Sequence, residues 1–260
     1  MNELPLAARI QEALRHHAPR GRDTEQIGPF LATFTRDTDN PYLNYAIPAD
    51  DAAVMAADVD ALVAAYRSRG RKPRLEYIPS LAPSVEPALL AAGFEVEGRL
   101  PLMTFEEDVQ SAAPEGIELL APANDDEYHG AAMVQWEAYA ETEPLPANAG
   151  DGLRRTAETG GVVVLARDAE TEEPAGAGLC TAPHDGVTEL AAIGVRESFR
   201  RRGIAAAMAS WLARAAVARG MTLVFLMAHG RDEARIYARA GFVEHGEVLH
   251  ISLSEERSRS

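Results

Sequence analysis

Cysteine is almost missing from this 260-residue chain: Cys180 stands alone, so no intrachain disulfide can staple the fold. No Cys/His cluster has zinc-ligand spacing, and no metal site is expected. Long apolar runs are also missing. The longest, such as Ile204 to Ala213, fall short of the roughly 20 residues a membrane span needs, and Ser210 interrupts that one. The opening Met1 to Pro5 leads into mixed charges, not into the basic region and apolar core of a signal peptide. Positive charge is scarce, with 25 Lys plus Arg against 40 Asp plus Glu and a net charge of −15. Such a surface repels nucleic acid and anionic membranes. A soluble, cytoplasmic protein with neither of those partners is expected. The acidic balance would suit a cationic substrate or simply keep the chain in solution, and both readings stand.

Several catalytic signatures are missing too. Gly176-Ala177-Gly178 lacks the third glycine and the helix of a dinucleotide fingerprint, and no phosphate-loop lysine motif, serine elbow or zinc-protease helix occurs. Cys180 falls in a predicted strand, where a free cysteine packs as a small hydrophobe.

What is present reads as strands alternating with helices. Apolar residues four apart at Leu6, Ile10 and Leu14 predict a first helix. Phe30 to Thr35 and Tyr42 to Ile47 read as strands, and Asp50 and Asp51 as caps of a helix reaching Arg69. Leu75 to Ile78 is a short strand, Ser84 to Ala92 a helix ended by Gly93, and Phe94 to Phe105 extended structure interrupted by Pro101. Glu106 to Gly116, acidic and proline-containing, suits a linker. Beyond it, Ala175 to Ala182 and Val187 to Val195 predict an antiparallel hairpin turned by Pro183 to Gly186. A helix from Ile204 follows, with Ile204, Met208, Trp211, Leu212 and Ala215 on one face. The end of the chain reads as a strand at Leu223 to Met227, a helix at Arg231 to Ala240, and two strands at Val243 to Glu247 and Leu249 to Leu253.

The chain also repeats itself. At a constant offset of 148 residues, Leu75 to Phe94 matches Leu223 to Phe242, and both segments end in Ala-Gly-Phe. Two domains are expected, at 1–110 and 115–254, followed by a frayed tail at 255–260. By the same offset Ile47 falls opposite Val195, Ala52 to Ala57 opposite Arg200 to Ala205, and Leu89 opposite Tyr237.

Arg200-Arg201-Arg202-Gly203-Ile204-Ala205 lies between a predicted strand and a helix start. A glycine there admits a close ligand, and first-turn N–H groups at the positive end of a helix dipole bind anions. The Arg-x-x-Gly-x-Ala pattern, the strand before it, the helix after it and the Gly-Phe strand start resemble the GNAT acyltransferase superfamily. That resemblance implies an α/β fold (α+β, mixed sheet): two tandem GNAT-like domains, each with a mixed, mostly antiparallel sheet flanked by helices. The first copy has neither the arginines nor the glycine, so it is expected to be degenerate, serving as packing or shaping the amine pocket.

The resemblance implies an N-acetyltransferase that moves an acetyl group from acetyl-CoA to a primary amine by direct attack. The acceptor is a small molecule or a peptide. A noncatalytic acyl-CoA sensor or scaffold remains the alternative. The cofactor loop maps onto Arg200, Arg201, Arg202, Gly203, Ile204 and Ala205. Backbone groups at Ile193, Gly194 and Val195 would hold the acyl carbonyl and pantetheine arm. Tyr237 matches the tyrosine that protonates the departing thiolate, and Glu189 the general base. Because Glu189 lies six residues before Val195, strand alternation puts both on one face. A packing tyrosine and a solvated strand glutamate are the plain alternatives. Family usage puts the acceptor near Trp136, Tyr139, Glu141 and Glu143, residues that equally suit core and an acidic turn. Where the family commonly has an asparagine contacting cofactor, this chain has Gly230, flanked by His229 and Arg231, for which surface placement is expected.

Overall fold

The computed structural model describes residues 5–36, 38–106, 111–139 and 144–254. The chain divides into two compact units, Met1–Pro101 with Gly246–Ser260 and Leu102–His245. The first holds α1 (Leu6–His17), β1 (Asp23–Ile27), β2 (Phe30–Phe34), β3 (Ala46–Pro48), α2 (Ala56–Arg67), β4 (Arg74–Tyr77), α3 (Val85–Ala91) and the start of β5 (Glu95–Phe105). The second continues with β6 (Ile117–Leu120), α4 (Asp125–Ala138), α5 (Asp151–Glu158), β7 (Val162–Asp168), β8 (Pro174–Cys180), β9 (Val187–Val195), α6 (Ile204–Ala218), β10 (Leu223–Met227) and α7 (Arg231–Ala238). The last strand, β11 (Phe242–Ser252), starts in the second unit and ends in the first. Both units are mixed sheets with flanking helices, as expected.

The two last strands trade ends. Leu102 to Thr104 of β5 pair antiparallel with β10 in the second unit, while Leu249 to Ser252 of β11 pair antiparallel with β4 in the first. Units defined by packing are therefore cut at Pro101 and Gly246, whereas composition put a linker at Glu106 to Gly116. β5 runs through Pro101, which has no N–H for a ladder and sits where the units divide. Ser111, in the expected linker, donates to the Arg239 carbonyl at 3.1 Å. Residues 107–110 and the expected tail at 255–260 lie outside the described residues.

In the second unit β7, β8 and β9 pair antiparallel and β9 pairs parallel with β10. The predicted hairpin is present. Ile204, Met208, Leu212 and Ala216, spaced by four, are all buried against this sheet. Burial of Ile204, Met208 and Leu212 is worth about 1.5–3 kcal/mol each, which fixes α6 on the sheet. Cys180 is buried as expected, and burial raises its thiol pKa.

Local signals misled in four places. Of the strand expected at Tyr42 to Ile47, the start is a 3-10 turn at Pro41–Leu43 and only Ala46–Pro48 pairs, and the two strands expected between Val243 and Leu253 are one, β11. Asp50 and Asp51 do not cap α2; Asp51 takes a left-handed φ of 52°, and the helix starts at Ala56, where Asp58 accepts the Met55 N–H at 2.9 Å. β1 gave no apolar alternation because Asp23 to Gln26 are exposed and polar; full antiparallel pairing with β2 makes it a strand.

The first unit is organised round Arg74, a side chain with 0% exposure. Its guanidinium pairs with Glu76 and with Glu97 at 2.7 Å, lies 2.9 Å from His250 Nδ1, and stacks 4.7 Å from the Tyr42 ring centre. Burial pushes the Glu97 carboxyl up, but hydrogen bonds from Lys72, Ser252 and Arg74 outweigh this and hold its pKa at about 2. Removing the Glu97 charge leaves Arg74 with Glu76 as its remaining carboxylate. Glu97→Gln is therefore expected to destabilise the protein by about 1.5 kcal/mol, read as a shift in urea midpoint at constant slope. Since the folded pKa is depressed, this stabilisation is complete above pH 4.5, the ordinary value, and disappears as pH falls towards 2. Glu97→Gln should flatten that part of the pH–stability profile.

Candidate active site

The second unit's parallel strands part company early. β10 pairs with β9 at Val187, Thr188 and Glu189, so beyond Glu189 the edge of β9 that faced β10 has no strand beside it among the described residues. Its backbone groups need other partners. They border a cleft of about 470 Å³, lined by Ile193 to Val195, Phe199 to Arg201, Gly203 to Ala206, and Glu233, Ile236, Tyr237 and Arg239. That volume suits a small-molecule site.

The repeat explains why this happens in one copy only. Leu75 and Leu223 are equivalent, yet Leu75 pairs with Ala46 and Leu223 with Val187. Ten residues separate Ala46 from the start of α2 at Ala56, and seventeen separate Val187 from the start of α6 at Ile204. By pairing, then, Ala46 corresponds to Val187 and the sequence alignment of Ile47 with Val195 does not hold. The second copy carries seven additional residues, and these form the open edge. In the first copy Gln11 and Arg15 of α1 are bonded to the strand ends instead: Gln11 Oε1 accepts the Ile78 N–H and Arg15 donates to the Ile47 carbonyl, each at 2.9 Å.

A bulge sits in the added stretch. Ala192 has φ 56°, and the β8–β9 register shifts so that Ala177 and Leu179 face Gly194 and Ala191. One extra residue reverses side-chain alternation downstream. Glu189 consequently shares a face with Ala191 and Gly194, while Val195 shares the opposite face with Leu190. The sequence expectation that Glu189 and Val195 face the same way is thus corrected. Glu189 stands where β9 and β10 diverge, half-buried, and is not among the residues lining the cleft.

Gly203 caps α6 with φ 85° and no side-chain cap bond, leaving the first-turn N–H groups directed into the cleft mouth. Of the three arginines, Arg200 and Arg201 line the cleft, and Arg200 Nε donates to the Val195 carbonyl at 3.0 Å. Arg202 does not line it. Its guanidinium lies 5.5 Å over the Phe199 ring and its Nη2 reaches the Glu115 carbonyl. Arg239, at the C-cap of α7, adds a cation that the motif did not identify. Gly194 has a packing reason to be glycine: an added Cβ would stand 2.8 Å from Ala138 Cβ on α4.

Tyr237 is 6% exposed. Its ring meets Phe242 at 6.2 Å and its hydroxyl donates to Glu233 Oε1 at 3.1 Å. Burial, followed by the Glu233 charge and hydrogen bond, pushes the phenol pKa well up. Burial also pushes the Glu233 carboxyl up, but hydrogen bonds from His229 and Tyr237 outweigh it, so this group stays below the ordinary carboxylate value. Glu233 was missed in the sequence although it lies four residues before Tyr237, a spacing that puts both on one helix face.

Trp136 and Tyr139 line a second hollow of about 240 Å³ with Ala132, Gln135, Leu145 and Pro146. Partial burial and then the Glu233 charge raise the Tyr139 phenol. Glu141 and Glu143 lie outside the described residues. Gly230 is the N-cap of α7, His229 is exposed, and Arg231 is exposed and paired with Glu244 at 2.6 Å. Their surface placement agrees with expectation.

Residues 122–242 match the model of the acetyltransferase (GNAT) family. No curated protein matches the chain. Among solved structures, a GCN5-related N-acetyltransferase from Kribbella flavida is similar with 24% identity, a TM-score of 0.79 and 98% of each chain covered. One from Sphaerobacter thermophilus shows 17% identity and a TM-score of 0.63, over 86% of this chain and 80% of that one. A tandem GNAT protein from the clavulanic acid biosynthesis pathway shows 12% identity and a TM-score of 0.61, over 92% of this chain and 85% of that one.

Proposed function

We propose, on the premise that residues 122–242 form a GNAT-family acetyltransferase domain, that the protein transfers an acetyl group from acetyl-CoA to a primary amine by direct attack in a ternary complex. One observation carries the reading: a single cleft combines an open strand edge, a helix N-terminus without a side-chain cap, and a buried tyrosine. Those are the three features that a thioester with a phosphate handle requires.

Each feature has a role. The first-turn N–H groups from Ile204 to Ala206, with Arg200, Arg201 and Arg239, hold the diphosphate and its neighbouring phosphate, because donors and the helix dipole favour negative charge there. The edge of β9 at Ile193 to Val195 bonds the amide-rich arm much as a strand would, and its N–H groups steady the oxyanion that forms on attack. Tyr237 supplies a proton to the departing thiolate. Trp136 and Tyr139 form the side from which the amine arrives, and their aromatic faces suit a cationic or apolar-flanked acceptor. The first unit, with Leu89 in place of a tyrosine and no arginine or glycine at Ala52 to Met55 before α2, binds no acyl-CoA of its own. The described helices include none long and apolar enough to cross a membrane, and a cytoplasmic location fits the single cysteine.

The decisive measurement is paired. Calorimetry with acetyl-CoA should show one saturable site, and a panel of small amines, aminoglycosides, amino acids and peptides should include an acceptor that releases free thiol. Absence of binding would remove the reading. Binding without acceptor-dependent thiol release would favour a noncatalytic acyl-CoA sensor, a role for which a buried phenol facing the cleft has no purpose.

A further inference from the structure

Among the described residues, Glu233 is the one acid lining the cleft. Its two oxygens have different work. Oε2 accepts the His229 backbone N–H at the start of α7 and lies 3.5 Å from the His229 ring. Oε1 accepts the Tyr237 hydroxyl at 3.1 Å. A helix-capping role accounts for the first oxygen and leaves the second directed at the phenol.

We propose that Glu233 and Tyr237 form one proton relay, in which Glu233 takes the proton shed by the attacking amine and returns it to Tyr237 as that phenol protonates the departing thiolate. This rests on the acetyl transfer proposed above. The relay balances. The amine nitrogen bonds to the thioester carbon, the C–S bond breaks, and the sulfur leaves with the electron pair. An N–H proton passes from the acylated nitrogen to Glu233 Oε1, the Tyr237 O–H proton passes to sulfur, and the Glu233 proton moves to the phenolate. Amide and free thiol result, with both side chains restored.

Three physical arguments favour this arrangement. A buried phenol beside a carboxylate holds its proton tightly, so a lone Tyr237 would have to become a phenolate next to a negative charge. Concerted return of a proton from Glu233 avoids that species. Second, Glu233 and Tyr237 line the same cleft as Ile193 to Val195, along which the thioester is proposed to lie. Third, hydrogen bonds from His229 and Tyr237 hold the carboxylate ionised and weaken it as a base, but the Tyr237 bond is given up as the phenol proton leaves, which restores basicity to Oε1 when the amine proton arrives. Glu189, by contrast, does not line the cleft.

A double-mutant cycle tests the relay, with acetyl-CoA and the best acceptor from the amine panel. Glu233→Gln keeps the shape and an acceptor for the His229 N–H, and should lower kcat about 100-fold, while the acetyl-CoA Kd stays within threefold. Tyr237→Phe should lower it about 1000-fold, and the double variant should be no slower than Tyr237→Phe alone, because both groups act in one path. Glu233→Asp should recover part of the loss. Multiplying losses in the double variant, an unchanged kcat in Glu233→Gln, or a larger loss in Glu189→Gln would each overturn the relay while leaving acetyl transfer intact. Failure of the unmutated protein to bind acetyl-CoA or to release thiol with any amine would instead overturn the transfer itself, and the relay with it.

Discussion

Gly203→Glu is expected to weaken acetyl-CoA binding about 1000-fold or more, through two effects that act at one atom. Gly203 holds φ 85° and ψ 3°, a left-handed conformation that costs an L-residue roughly 1 kcal/mol. The carboxylate would also sit at the N-terminus of α6, among the donors proposed to hold the diphosphate, where like charges repel at close range. Gly203→Ala separates the terms. An added Cβ meets nothing nearer than Pro114 Cγ at 4.0 Å, so alanine pays only the backbone term and should weaken binding less than about 10-fold. Calorimetric Kd values for the three proteins check this. A Gly203→Glu affinity within threefold of the unmutated protein would show that the loop does not hold the cofactor.

Tyr237→Phe is expected to lower kcat about 1000-fold with acetyl-CoA affinity nearly unchanged. The substitution removes one oxygen from a ring that is otherwise held by Phe242 at 6.2 Å and by the surrounding core, so the fold and the cleft walls remain. It also releases Glu233 from its partner at 3.1 Å. A kcat loss without a matching change in Kd identifies a group that acts during the chemical step. Equal losses in binding and turnover would mean that Tyr237 only shapes the cleft. Steady-state thiol release, with Kd measured separately, distinguishes the outcomes.

Much of this site was legible beforehand because its signals are local. Arg-x-x-Gly-x-Ala needs only a strand end, a glycine and a helix start, all specified within a few residues, and the structure adds that Gly203 takes a positive φ. The burial of α6 followed from a spacing of four. The resemblance to the GNAT superfamily pointed to Tyr237 by its interval before Gly241-Phe242, and the buried phenol lines the cleft. Glu233 was equally within reach, since i and i+4 residues share a helix face, but its acidic first-turn position has the appearance of a cap.

Other features depend on partners far away in the chain. Alternation put Glu189 and Val195 on one face, and a single bulge at Ala192 reversed it. Arg202 belongs to the motif, yet Phe199 and Glu115 draw it aside. A strand's last residues carry no mark of the sheet they will join, so β5 and β11 gave no hint that their ends pair with the other repeat's central strand.

The sequence by itself determined the repeat, the glycine turn that starts α6 and the lack of its arginines and glycine in the first copy, because each depends on neighbouring residues alone. Tertiary structure alone decided where β9 leaves β10, which side chains reach the cleft and which copy opens its strand edge. Those outcomes follow from register and from seven residues added between paired strand and helix, and register exists only once two strands have met.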